Sequence, residues 1–128
     1  MTPSIRRRAA AVATAAFFSA GAFALEESDF NYDTVADLVA VCSASGDDAG
    51  AAPLACRAFI ESAMQYHDAV SDRKKMKRLV CPPTTTTVGD AREVFVAWGA
   101  ANAGDATLMN ELPVVGLMRS LAAKYPCK

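Results

Sequence analysis

Apolar side chains recur at helical spacing in two stretches of the first half of the chain. The first stretch follows Thr34, a suitable N-cap with Asp37 three residues later. Its apolar positions are Val35, Leu38, Val39 and Cys42. The second stretch runs from about Leu54 to Val70, and one face carries Cys56, Phe59, Ile60, Ala63, Met64 and His67. These patterns predict two helices, of which the second is the longer.

A third helix is predicted after Thr87. Pro82 and Pro83 keep the chain out of a helix before this point, and Asp90 follows Thr87 at the spacing of a capping box. The apolar stripe of this helix is Val88, Ala91, Val94, Phe95 and Trp98. The pattern fades between Gly99 and Gly104, where we expect the helix to end.

A fourth helix is predicted to start near Glu111, with Pro113 tolerated in its first turn and Pro126 ending it. Its apolar side is Val114, Val115, Leu117, Met118, Leu121, Ala122 and Tyr125. No segment alternates with the period of two that is typical of a strand. The sequence therefore predicts an all-α fold, a small bundle of about four helices.

The connectors differ in composition. Ser43–Pro53 is rich in Gly, Ser, Ala and Asp and predicts a loop, and Asp105–Asn110 is expected to be a connector without a helix. Asp72–Arg78 is strongly basic. This run fits a solvated helix end, where cations suit the negative end of the dipole, and the alternative is a docking patch for an acidic partner.

Four cysteines, Cys42, Cys56, Cys81 and Cys127, predict a disulfide framework. A zinc site is the alternative, but no two cysteines form the close C-x-x-C pair that zinc sites favour. In an up-down bundle, the end of helix 1 lies beside the start of helix 2, and the start of helix 3 beside the end of helix 4. We therefore expect Cys42–Cys56 and Cys81–Cys127, since other pairings exceed the ~7 Å Cα limit.

Residues 1–24 are typical of a signal peptide. Arg6–Arg8 supply the basic start, Ala9–Ala20 an apolar stretch too short for a good span, and Ala22–Ala24 the cleavage pattern. We expect a flexible acidic lead-in over residues 25–33 and a helical domain over 34–128. An uncleaved membrane anchor and a twin-arginine signal are the alternatives.

The charge balance limits the partners of the chain. Basic and acidic side chains number 13 and 14, and loss of the signal would leave a mildly acidic chain. Such a chain is not expected to bind nucleic acid. No stretch after the signal is apolar enough to span a bilayer, so we expect no membrane association once the signal is removed.

Catalytic groups are sparse. The single histidine, His67, lies on a helical stripe, where a packed or surface role is commoner than catalysis. The run Thr84–Thr87 is interpreted as a loop leading into an N-cap rather than as a hydroxyl-rich site. Nucleotide-binding and hydrolase motifs are absent from the sequence. We predict no enzymatic activity, no cofactor and no metal site.

The cysteine frame matches a known pattern. Cys42 closes the first helix, and Cys56 with Phe59 and Ile60 gives a C-x-x-[aromatic]-I helix start. The later matches are Cys81, Pro83, Thr87, Val94, Trp98, Leu112–Pro113 and Tyr125–Pro126–Cys127. On these residues the chain resembles the Rap/Tai family of immunity proteins over roughly residues 34–127. Ser62, Gln65 and the basic run depart from the pattern.

The resemblance implies an exported, cysteine-bridged, all-α protein that protects bacteria from type VI secreted peptidoglycan amidases. Such immunity proteins bind the cognate amidase and block its active-site cleft, commonly as dimers. We therefore expect a periplasmic immunity protein with an amidase effector as partner. The alternative is an exported helical envelope protein that shares the fold and binds a ligand or assists folding.

Connectors are the expected binding elements, because the helix faces are needed for a thin core. In the up-down arrangement, Ser43–Pro53 and Gly99–Asn110 lie at the same end of the bundle, and the basic run is expected to steer the partner. The candidate partner-binding residues are Gly46, Asp47, Asp48, Asp105, Thr107, Lys74, Lys75 and Lys77.

Overall fold

The computed structural model describes residues 27–128, so the predicted signal peptide lies outside the described residues. This part of the chain folds into five α-helices and two short 3-10 helices. The α-helices are α1 (Val35–Ser43), α2 (Ala52–Lys74), α3 (Val88–Ala101), α4 (Ala106–Met109) and α5 (Pro113–Lys124). The 3-10 helices are Glu27–Asn31 and Asp47–Ala49. The all-α prediction is confirmed, with four longer helices and one single turn.

Side-chain caps start α1 and α3 where the sequence predicts them. Asp37 Oδ2 accepts from the backbone N–H of Thr34 at 2.8 Å, and the Thr34 hydroxyl accepts from the Asp37 N–H at 3.3 Å. Thr87 and Asp90 form the same reciprocal pair at the start of α3. Both capping boxes satisfy N–H groups that the first turn of a helix leaves without a backbone partner.

Three boundaries differ from those predicted. Helix α2 continues to Lys74 rather than ending near Val70, and Lys75 ends it in the left-handed conformation at φ 51°. Its basic last turn suits the negative end of the helix dipole, as the solvated-helix-end interpretation predicts. The expected connector 105–110 contains α4, which Asp105 caps. Helix α5 begins at Pro113 rather than Glu111, because proline at the first helical position loses no intrahelical hydrogen bond.

Helix α1 is the centre of the fold. It packs against α2, α3, α4, α5 and the first 3-10 helix. Val35, Leu38, Val41 and Cys42 are fully buried. Two glycines allow neighbouring helices to approach it, because a Cβ at Gly99 would lie 2.6 Å from Val39 and one at Gly116 2.5 Å from Val35. The thin core is therefore built around one nine-residue helix.

Both predicted disulfides are confirmed. Cys42–Cys56 and Cys81–Cys127 each join Cα atoms 5.0 Å apart, and no free cysteine remains in residues 27–128. Beside the second bridge, Val80 and Pro126 form an isolated antiparallel bridge and Cys81 N–H donates to the Tyr125 carbonyl. The first disulfide fixes the start of α2 to the end of α1, and the second fixes the C-terminus to the segment before α3.

The residues just before α1 are ordered against the bundle. The acidic composition of residues 25–33 predicts a flexible segment. In the structure, Glu27–Asn31 forms a 3-10 helix beside α1. The ring of Tyr32 lies 5.2 Å from that of Phe59, and burial raises the pKa of the Tyr32 hydroxyl. Among the helices of residues 27–128, none is long and apolar enough to cross a membrane.

Candidate protein-binding surfaces

The connector between α1 and α2 is fixed at its base and exposed at its tip. Arg92 donates from Nε to the Cys42 carbonyl at 2.7 Å and from its terminal nitrogen to the Ala44 carbonyl at 3.2 Å. These bonds and the Cys42–Cys56 disulfide hold both ends of the connector. Gly46, at φ 87°, leads into the 3-10 helix Asp47–Ala49. Of the predicted partner-binding residues, Gly46 and Asp47 are exposed, and Asp48 lies between Asp47 and Ala49 in the same 3-10 helix.

The connector between α3 and α5 uses one candidate residue structurally. Asp105 accepts from the N–H groups of Thr107 and Leu108 at 3.0 and 3.1 Å, so its carboxylate caps α4. The side chain of Thr107 is exposed. Sequence analysis missed this cap, although an aspartate two or three residues before potential helix N–H groups is its usual signal.

The expectation that these two connectors lie at the same end of the bundle is wrong. The Val35 N–H, at the start of α1, donates to the Glu111 carbonyl at 2.9 Å. Arg92 instead contacts the carbonyls at the end of α1. The two connectors therefore meet opposite ends of α1, which a rise of 1.5 Å per residue separates by about 12 Å. The up-down arrangement predicted that the C-terminal end of α3 would lie beside the first connector. In the structure, the N-terminal half of α3 lies there instead, because Arg92 contacts the end of α1.

The basic run ends α2 and turns back along it. Lys74, Lys75 and Lys77 are exposed, and no salt bridge among the described side chains involves them. Arg78, by contrast, donates to both oxygens of Asp72 at 2.9 and 3.0 Å, and this pairing raises the pKa of its guanidinium. The three lysines therefore carry positive charge that none of the described acidic side chains pairs with.

His67 has a structural role. Its side chain is 9% exposed, its Nε2 accepts from the Leu79 N–H at 3.0 Å, and its Nδ1 lies 2.9 Å from an Asp68 oxygen. Acceptance at Nε2 requires the proton on Nδ1, which then donates to Asp68. The ring thus joins the basic connector to α2. No cluster of potential metal ligands occurs in the described part of the chain.

A small cavity lies between α2, the segment after Cys81 and α5. Its volume is about 220 Å³, and its lining includes Ile60, Met64, Val88, Leu121 and Tyr125. Small-molecule sites usually measure roughly 300–1,000 Å³. This cavity is smaller than that range, whereas the open grooves on the surface, of about 420 and 570 Å³, fall within it.

Sequence analysis missed an exposed apolar surface. Val114 and Val115 were predicted to face the core, but they are 41% and 40% exposed, and Tyr66 on α2 is 73% exposed. The helical period placed Val114 and Val115 on the apolar side of their helix, yet Gly116, Leu117 and Leu121 take the buried positions. The stripe on α5 is wider than the core it faces, so part of it remains on the surface.

Together, two disulfides, a thin helical core, an exposed apolar surface and pinned connectors define a small, disulfide-bridged, all-α protein. A family model described as Rap1a immunity proteins matches residues 34–127. The chain therefore belongs to the Rap1a immunity protein family, whose members are immunity proteins directed against an effector protein. Neither a curated protein nor a solved structure matches the chain.

Proposed function

We propose that this chain is a periplasmic immunity protein that binds and blocks a type VI secreted peptidoglycan amidase. The family match over residues 34–127 is the observation that carries the proposal. The two disulfides support an exported location, since such bonds persist in oxidising compartments. The expected signal peptide over residues 1–24 belongs to the same proposal.

The proposed action is steric. An amidase of this kind acts through a cysteine–histidine pair in a cleft, so a protein that fills the cleft inhibits without any reaction of its own. We accordingly propose no enzymatic activity and no cofactor for this chain. Homodimers are common in the Rap/Tai family and are compatible with steric inhibition. Measuring the mass in solution decides whether this chain forms one.

The connector between α1 and α2 is the proposed plug. Two of its exposed residues, Gly46 and Asp47, stand on a base held by a disulfide and by Arg92. A loop that is already ordered loses less conformational entropy on binding. Asp48 belongs to the same plug, Asp105 and Thr107 form a second candidate contact, and Lys74, Lys75 and Lys77 are proposed to steer the encounter.

Protection of cells tests this function. An amidase effector encoded in the same genome, exported to the periplasm of a host bacterium, should lyse the culture. Co-export of this chain should restore growth, whereas the same chain lacking residues 1–24 should not protect. Lysis that continues at full rate with the exported, oxidised chain, for every secreted amidase of that genome, would contradict the proposal.

A further inference from the structure

An apolar face extends from α2 across to α5. We define it by Tyr66, Leu79, Val114 and Val115. Their exposed fractions are 73%, 63%, 41% and 40%. Large apolar side chains scattered singly are normal on a surface, but a contiguous group marks an interaction site.

Two neighbouring grooves make the face continuous. Tyr66 and Val114 line one groove together with Phe59 and Ala63. Leu79, Val114 and Val115 line the next, whose floor includes Met118 and Ala122. Val114 belongs to both grooves, so the face runs unbroken from Tyr66 to Leu79.

The face is also held in place. The Leu79 N–H donates to Nε2 of the largely buried His67, the direct neighbour of Tyr66. Val114 and Val115 lie in the first turn of α5, whose Gly116 packs against Val35 in the core. A rigid apolar surface needs little ordering on binding, which favours affinity.

Positive charge lies close to the face along the chain. Lys77 precedes Leu79 by two residues, Lys75 follows α2 directly, and Lys74 is the last residue of α2. None of the three lysines has a salt-bridge partner among the described side chains, whereas Arg78 and Arg119 beside the face are paired with Asp72 and Glu111. The uncompensated charge close to the face is therefore cationic.

We propose that the apolar face binds the effector itself, through a patch on the effector that is apolar at its centre and bordered by carboxylates. This inference rests on the proposed function and adds a second contact surface beside the plug. A second copy fits this face less well, because the carboxylates beside it, Asp72 and Glu111, already pair with Arg78 and Arg119 and so are not free to pair with another copy's lysines. Apolar centres with charged rims are the usual build of protein interfaces.

The test measures binding to a secreted amidase of the same genome, purified with its catalytic cysteine replaced by alanine. Leu79→Ser and Tyr66→Ser are compared with Leu54→Ser, because Leu54 is 72% exposed and lies about 120° from Tyr66 around α2. Lys77→Glu is compared with Arg57→Glu, which reverses an exposed charge about 180° from Tyr66 on α2. Circular dichroism confirms that each variant is folded.

The expected result is that Leu79→Ser and Tyr66→Ser each weaken binding about tenfold or more, as hot-spot truncations do. Lys77→Glu should slow association and flatten its salt dependence. Leu54→Ser and Arg57→Glu should stay within about twofold of wild type, since contacts outside the energetic centre contribute little.

Three outcomes overturn the inference. If the wild-type protein binds the amidase and both serine variants bind it equally tightly, this face is rejected and the proposed function stays intact. Failure of the wild-type protein to bind any secreted amidase of the genome rejects both. Sedimentation that shows a wild-type dimer dissociated by Leu79→Ser, with amidase binding unchanged, assigns the face to self-association instead.

Discussion

At the scale of single residues, two glycines set the distances between helices around α1. Alanine usually stabilises a helix relative to glycine by up to about 1 kcal/mol. At Gly116 the added Cβ would lie 2.5 and 2.9 Å from the two Cγ atoms of Val35. Val35 is fully buried and β-branched, so it has no rotamer that removes both methyl groups. The clash therefore outweighs the gain in helix propensity.

Gly116→Ala is predicted to lower the free energy of unfolding by about 1–3 kcal/mol, the usual cost of overpacking. Gly99→Ala should cost less, because Val39 is only partly buried and can yield. Gly104→Ala is the matched control, as no atom lies within 4 Å of its Cβ position. Chemical denaturation measures all three. Equal stability of the three variants would show that the helices do not approach as closely as described.

Arg92 stabilises the end of α1 from a distance of 50 residues in sequence. Its guanidinium donates to the Cys42 and Ala44 carbonyls, which no helical N–H can reach. Arg92→Met should lower the free energy of unfolding by about 1–3 kcal/mol, because two partly buried carbonyls lose charged donors. Arg92→Lys should recover only part, since an ammonium cannot reproduce the fork. Denaturation curves in which the methionine variant matches wild type would refute this role.

At the scale of elements, helix starts were the most predictable feature. Thr34 and Thr87 were identified correctly because a threonine followed three residues later by an aspartate is a local signal. The extension of α2 to Lys74 and the turn α4 depended on a left-handed Lys75 and on the Asp105 cap. Neither conformation follows from hydrophobic periodicity. The exposed side of α5 could not be predicted either, because exposure depends on which neighbours cover the stripe.

The cap of α3 makes a pH-dependent contribution to stability. The Thr87 N–H and hydroxyl donate to Asp90, and these bonds lower the pKa of its carboxyl. A lowered folded-state pKa gives stability that is present above the unfolded-state pKa and is lost as pH falls through the folded-state pKa. The destabilisation caused by Asp90→Asn should therefore be largest near neutral pH and shrink in acid. Denaturation at several pH values measures it, and a pH-independent difference would contradict the assignment.

The connector after α2 depends on one histidine contact. His67 Nε2 accepts from the Leu79 N–H, so His67→Ala should raise the rate of amide hydrogen exchange at Leu79. Gln65→Ala is a suitable control, because Gln65 is exposed and bonds only to Glu61 in the same helix. Unchanged exchange at Leu79 in the alanine variant would show that the connector is held by other contacts.

At the scale of the whole molecule, the disulfide pairing was predictable from chain order while the arrangement of connectors was not. The order of the helices predicts Cys42–Cys56 and Cys81–Cys127, and both disulfides are present. The crossing of α3 over α1 is set by Arg92 and by the close approach at Gly99, which sequence spacing does not reveal. The partner-binding residues therefore stay a prediction, and the ends of the bundle at which the two connectors lie were predicted wrongly.

The two disulfides should differ in accessibility. Cys42 and Cys56 are fully buried, whereas Cys81 is exposed. Under mild dithiothreitol, Cys81–Cys127 should be reduced first, as alkylation and peptide mapping would show. Its removal should also cost more, about 4 against about 3 kcal/mol in the chain-entropy model, because it closes the longer loop. Earlier alkylation of Cys42 and Cys56 would mean that the core opens before the C-terminal bridge is reduced.

The most direct measurement of the central claim is hydrolysis of purified peptidoglycan by a secreted amidase of the same genome, titrated with the oxidised mature chain. We expect the amidase activity to fall to zero at a fixed stoichiometry. The chain is expected to inhibit by occupying the cleft, without any catalytic turnover of its own. Full amidase activity at a large excess of the folded, oxidised chain, for every such amidase, would contradict the proposed function.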